Sequence, residues 1–214
     1  MEEKANMTYE DEKKVRIMEK APFLTKMFRI LFWLIIPNTI AAIMMNETFS
    51  QNIPVFNTAG KILKLVCLLV YAIVLLKLSA EDSNYNKAGK FAIIIVICSA
   101  ISYVILSLND GWLYLIIAIP ETVISIMCEY YEYSAHAELL FHIDNQLADG
   151  WENLWKWMIG AYLALAGCIL VTLLVPVLGL VLMIIVGIVF VVLSIRKLIY
   201  LYKMAKLFEK YRYQ

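Results

Sequence analysis

The sequence predicts an all-α integral membrane protein: a bundle of six transmembrane helices with helical extensions on the cytoplasmic side. Three observations carry that expectation. Of 214 residues, 62% are hydrophobic and 17% charged, with mean hydropathy +0.74, against about half and about a quarter in soluble domains. The apolar residues fall in runs close to the roughly 20 helical residues that cross a hydrocarbon core ~30 Å thick. Lys and Arg alternate between the connections in the way that a polytopic chain requires.

Residues 1–29 mix acids and bases without an early apolar stretch. They are expected to form a cytoplasmic or interfacial segment, so that the first apolar run stays as an uncleaved anchor. "TYEDEKKVRIMEK" begins as a capped helix with Thr8 and Asp11, and Pro22 is expected to break or redirect it. Four spans then fill 30–128: Ile30–Met45, Gly60–Leu78, Phe91–Leu108 and Trp112–Cys128. A cytoplasmic connection occupies 129–157, two further spans occupy 158–195, and a basic tail runs over 196–214. No residue from Met158 to Ile195 is charged. One helix of that length would rise about 57 Å, nearly twice the hydrocarbon thickness. Pro176 and Gly179 supply the reversal, as "NDG" at 109–111 does between spans three and four.

With both termini cytoplasmic in a plasma or inner membrane, every basic residue of the 19 except Lys61 and Lys64 lies inside, satisfying the positive-inside rule. Those two lysines are expected to snorkel outward or to line a cavity. Trp151, Trp155 and Trp157 at one end of span five, and Trp112 and Tyr114 at the start of span four, occupy interfacial positions.

Two stretches resemble one another. "IPNTIAAIMM" in span one and "IPETVISIMC" in span four share Ile, Pro, Thr, Ile and Met. The spans run in opposite directions, which points to a 3+3 inverted repeat of the kind common in secondary transporters. Pro37, Pro120 and Pro176 are the kink positions. Glu121 lies near the bilayer centre, where a charge costs at least about 2.5–3.5 kcal/mol and faces the protein interior or a wet cavity. A polar ligand site is therefore expected around Glu121 and Asn38, hydrogen-bonded to one another, with Thr39, Thr122 and Ser125 beside them.

The connection after span four holds both histidines. It is expected to stay helical to about Ala148, with Gly150 ending the helix and Asp149 and Glu152 capping the next. Glu132 with His136, and Glu138 with His142, are carboxylate–imidazole pairs at i,i+4 and form a candidate metal set. Their spacing is neither that of di-iron bundles nor His-Glu-x-x-His. Tyr130, Tyr131 and Tyr133 are expected at the membrane interface. In the tail, Arg196, Lys203, Lys206 and Lys210 form a stripe suited to anionic lipid headgroups or to the acidic connection. "NET" at 46–48 is a glycosylation sequon. Cys67, Cys98, Cys128 and Cys168 have no ligand spacing and read as buried thiols. A net charge of +1 gives no indication of a nucleic-acid partner.

Phosphate-binding glycine loops, HExxH and GxSxG are absent from the sequence. The leading expectation is a small transporter- or channel-like protein, a homo-oligomer or part of a larger membrane complex, rather than an enzyme. The alternatives are a non-catalytic accessory or regulatory membrane subunit and a metal-dependent membrane enzyme using the 129–149 segment.

Overall fold

The computed structural model describes residues 9–46, 54–107 and 111–212. The Thr8 cap, Asn109 and Asp110 of the "NDG" turn, and Glu47 and Thr48 of the sequon lie outside them. Among these described residues seven helices follow in order: α1 Tyr9–Trp33, α2 Ile35–Met45, α3 Pro54–Leu78, α4 Ser83–Ser107, α5 Gly111–Leu140, α6 Asn145–Leu174 and α7 Pro176–Tyr211. α1 and α2 together make one arm, so six helical spans are long and apolar enough to cross a membrane.

Each span packs on its neighbours in sequence, and α7 returns to pack on α1. Short connections between antiparallel helices favour that arrangement, and the return contact closes the bundle. α1, the α3–α4 turn, the α5–α6 turn and the end of α7 meet at the end that bears the termini. Lys13 Nζ donates to the Glu138 carbonyl at 2.7 Å, Lys20 pairs with Glu81 at 2.8 Å, and Arg29 pairs with Glu209 at 2.5 Å. The largest fully buried side chains, among them Trp151, Tyr85, Phe28, Phe208 and Tyr133, all belong to this end. The opposite half exposes Trp112, Leu173, Leu174 and Val177, as a lipid-facing surface would.

The prolines act unequally. Pro37 lacks the donor that would reach Trp33, and the helix breaks three residues before it, at Leu34. α5 runs unbroken through Pro120. α1 also continues through Pro22, correcting the expected break. Packing of Ala21, Leu24 and Phe28 into the core outweighs one missing hydrogen bond.

The connection after span four is also corrected. α5 stops at Leu140, not near Ala148, and a turn over 141–144 follows. His142 takes φ 67°, a left-handed conformation found in few non-glycine residues. Its N–H donates to Asn145 Oδ1 at 2.7 Å. Asp144 then caps α6 by accepting from the Leu147 N–H at 3.0 Å. Gly150 lies inside α6, against the Tyr200 ring.

The reversal after span five falls where the sequence places it. Val175 ends α6 and Pro176 opens α7, where its missing N–H costs nothing. Gly179 serves close approach: a Cβ there would sit 2.1 Å from Thr172 Oγ1 and 2.5 Å from its Cα. Gly179→Ala is therefore expected to lower stability by about 1–3 kcal/mol. Gly187→Ala, with nothing within 4 Å of the added carbon, should be neutral or slightly stabilising. Thermal unfolding of the two variants in detergent micelles checks the contrast.

Candidate functional site

Proline-broken α2, the lysine-bearing middle of α3 and the inner faces of α5 and α7 surround a central cavity of about 340 Å³. Leu31, Leu68, Ile95 and Leu201 give it apolar walls, and Asn38, Lys64, Ser125, Glu129, Glu132 and Lys197 give it polar ones. A site of a few placed polar groups on an apolar lining is the usual construction of a small-molecule pocket.

Its charges sit at two levels. On the termini-bearing side, Lys197 Nζ lies 2.5 Å from Glu132 Oε2, which also accepts from the Tyr71 hydroxyl at 2.8 Å. Glu132 is 1% exposed, so the pairing offsets a large desolvation cost. Lys197 lies near where exposed Ile195 gives way to exposed Arg196 on α7, the border between apolar and basic surface. His136 is one turn below Glu132. Its Nε2 faces Glu132 Oε1 at 3.5 Å, and its Nδ1 lies 2.7 Å from the Tyr85 hydroxyl. The carboxylate favours the tautomer with the proton on Nε2, so that Nδ1 accepts from Tyr85. Trp151, 4.4 Å away between ring centres, and Phe28 seal the imidazole from water. Glu129, one turn above, accepts from Tyr162 at 3.0 Å.

The second level is Lys64. It is seven residues from Tyr71 along α3, about 10 Å. It donates to Asn38 Oδ1 at 2.7 Å, and among the described residues no carboxylate pairs with it. The cavity alternative expected for this lysine is the one found. Lys61 instead lies over the Tyr103 ring, 5.8 Å from its centre.

The expected Asn38–Glu121 hydrogen bond is replaced by other pairings. Spans one and four do not pack side by side in the ring. Asn38 takes Lys64, while Glu121 accepts from Ser99 at 2.5 Å and Ser102 at 3.3 Å, clasping α5 to α4. Ser125 lines the cavity. Thr122 is exposed and donates to the Ala118 carbonyl of its own helix at 2.8 Å, and Thr39 is exposed.

Of the four candidate metal ligands, Glu132 and His136 come together in the core, whereas Glu138 is exposed and His142 sits beyond the helix end. Among the described residues no three His, Cys, Asp or Glu side chains converge on a metal position. Two interfacial expectations are also corrected. Trp151 is fully buried with its N–H on Met204 Sδ at 3.1 Å, and Tyr133 is fully buried with Lys197 above its ring. Both belong to the packed end, while Trp157 is exposed.

Sequence reasoning missed Lys197 as the partner of Glu132, although it considered pairing between tail and acidic connection. The usable signal was the juxtaposition of an i,i+4 Glu–His pair with the first lysine after an uncharged span. Compared with protein-family profiles, curated proteins and solved structures, the chain matches none.

Glu132→Gln leaves Lys197 at the cavity without its counter-ion. It should cost about 3 kcal/mol, the low end for breaking a buried pair, because the lysine side chain is 23% exposed. Glu132→Gln combined with Lys197→Met should recover most of that loss in thermal unfolding.

Proposed function

We propose that this polytopic membrane protein is transporter-like and holds a small polar solute in its central cavity. The observation that carries this reading is Lys64, a cation without a carboxylate partner among the described residues, projecting into a cavity inside an apolar bundle. An intramembrane charge is expensive and marks a functional pathway by default. Lys64 stands toward one end and Glu129 toward the other, which suits a solute carrying both signs, with the apolar lining accepting its hydrocarbon part.

In this reading the Glu132–Lys197 pair and the aromatic residues below it close the termini-bearing end, and access is from the other half. Glu121, braced against Ser99 and Ser102, couples α4 to α5 one turn from cavity-lining Ser125. The matching "IPNTI" and "IPETV" segments support an inverted relation between the two three-span halves. The distribution of Lys and Arg supports cytoplasmic termini.

Leucine, isopentylamine and 4-methylpentanoate, offered to proteoliposomes of the full chain, provide the test. Leucine is expected to be taken up in preference to the amine and the acid. Lys64→Gln should reduce uptake at least tenfold while folding is retained. Uptake unchanged in Lys64→Gln would remove the cavity from the mechanism.

A further inference from the structure

The bundle is closed unevenly along its length. In the termini-bearing half α7 packs on α1, but beyond the break at Leu34 the first arm continues as α2, which packs on α3. Among the described residues α2 makes no comparable packing on α7. The two helices nevertheless bound the same cavity, α2 through Ile35 and Asn38 and α7 through Ser194 and Leu198. Ser194 is exposed although it belongs to the cavity wall, which puts it at a rim.

Helical spacing carries both cavity-lining faces outward, since residues three, four and seven apart share a face. On α2, Ala42 stands one turn beyond Asn38 and is exposed. On α7, Val191 stands one turn outward from Ser194 and is 59% exposed. Gly187 is a further turn along, and a Cβ there would meet nothing within 4 Å. The inner faces of α2 and α7 therefore stay uncovered beyond the cavity and leave a slot between them. Beyond Thr39 and Ser194 its edges are apolar, with Ile43 on α2 and Ile188 on α7 exposed. Apolar edges of this kind suit contact with lipid chains rather than a mouth onto water.

We propose that the cavity opens sideways into the hydrocarbon through this slot and that its ligand is a single-chain amphiphile. The head group, carrying an ammonium and a carboxylate, lies between Glu129 and Lys64, and the alkyl chain passes between α2 and α7 into the lipid. This rests on the reading of the cavity as a solute site and names the class of solute. The cavity of about 340 Å³ then has to hold only the head group and the first carbons of the chain. Each further methylene that leaves water favours binding about fourfold.

Binding of radiolabelled leucine to the full chain in lipid nanodiscs tests the proposal, with 2-aminododecanoate, dodecylamine and dodecanoate as competitors. The long-chain amino acid should displace leucine at a concentration at least tenfold lower than unlabelled leucine does. The amine and the acid, which share its chain but carry one sign each, should lack that advantage. Ala42→Trp with Val191→Trp, placed across the slot outside the cavity, should remove the advantage and leave displacement by unlabelled leucine unchanged. Gly187→Leu, which has open space around it, provides a second obstruction with the same expected result. Leucine binding with no advantage for the longer chain would overturn the amphiphile assignment while the cavity reading stands. An advantage that survives both obstructions, or is shared by dodecylamine and dodecanoate, would overturn it as well. No binding of leucine would remove the cavity reading and this proposal with it.

Discussion

The pairing of Glu132 with Lys197 constrains the rest of the molecule. It joins α5 to α7 at the border of the apolar zone, and Glu132 also holds Tyr71 on α3. A carboxylate with 1% exposure has no solvent to stabilise it, so the surrounding helices must bring donors to it. His136 and Tyr85 extend the set to α4. Toward the termini-bearing end the core is aromatic and closely packed, and Glu132 and Lys197 themselves form part of the cavity wall.

That layering follows from a closed ring of antiparallel spans. Because each helix touches its sequence neighbours and α7 returns to α1, the inner faces of non-neighbours bound a central space. The break in the first arm before Pro37 falls beside it, where Asn38 meets Lys64. Neighbouring helices are held by different devices: the serines on Glu121 for α4 and α5, and the absent side chain of Gly179 for α6 and α7. α7, 36 residues long, rises about 54 Å and therefore serves both the apolar zone and the packed end.

The spans, the reversal at Pro176 and the exceptional status of Lys64 were legible in the sequence because bilayer thickness and charge cost act on single segments. Pairings between helices were not. Asn38 and Glu121 both follow prolines in similar stretches, yet their partners depend on which spans adjoin. Ser99 and Ser102 gave no local sign of facing a carboxylate. The turn at 141–144 was hidden because His142 adopts a left-handed conformation without glycine, while Gly150 imitated a helix end. Trp151 and Tyr133 looked interfacial because residue type alone cannot distinguish a membrane border from a packed helical end.

The central claim is that the buried charge layer closes one end of the ring and leaves the cavity open toward the other. Single cysteines at Lys64 and Ser125, introduced into a chain lacking its four native cysteines, report this directly through a small charged thiol reagent applied to one membrane face at a time. The account predicts modification from the face opposite the termini and protection from the face that bears them. Modification only from the termini-bearing face, or from neither, would contradict it.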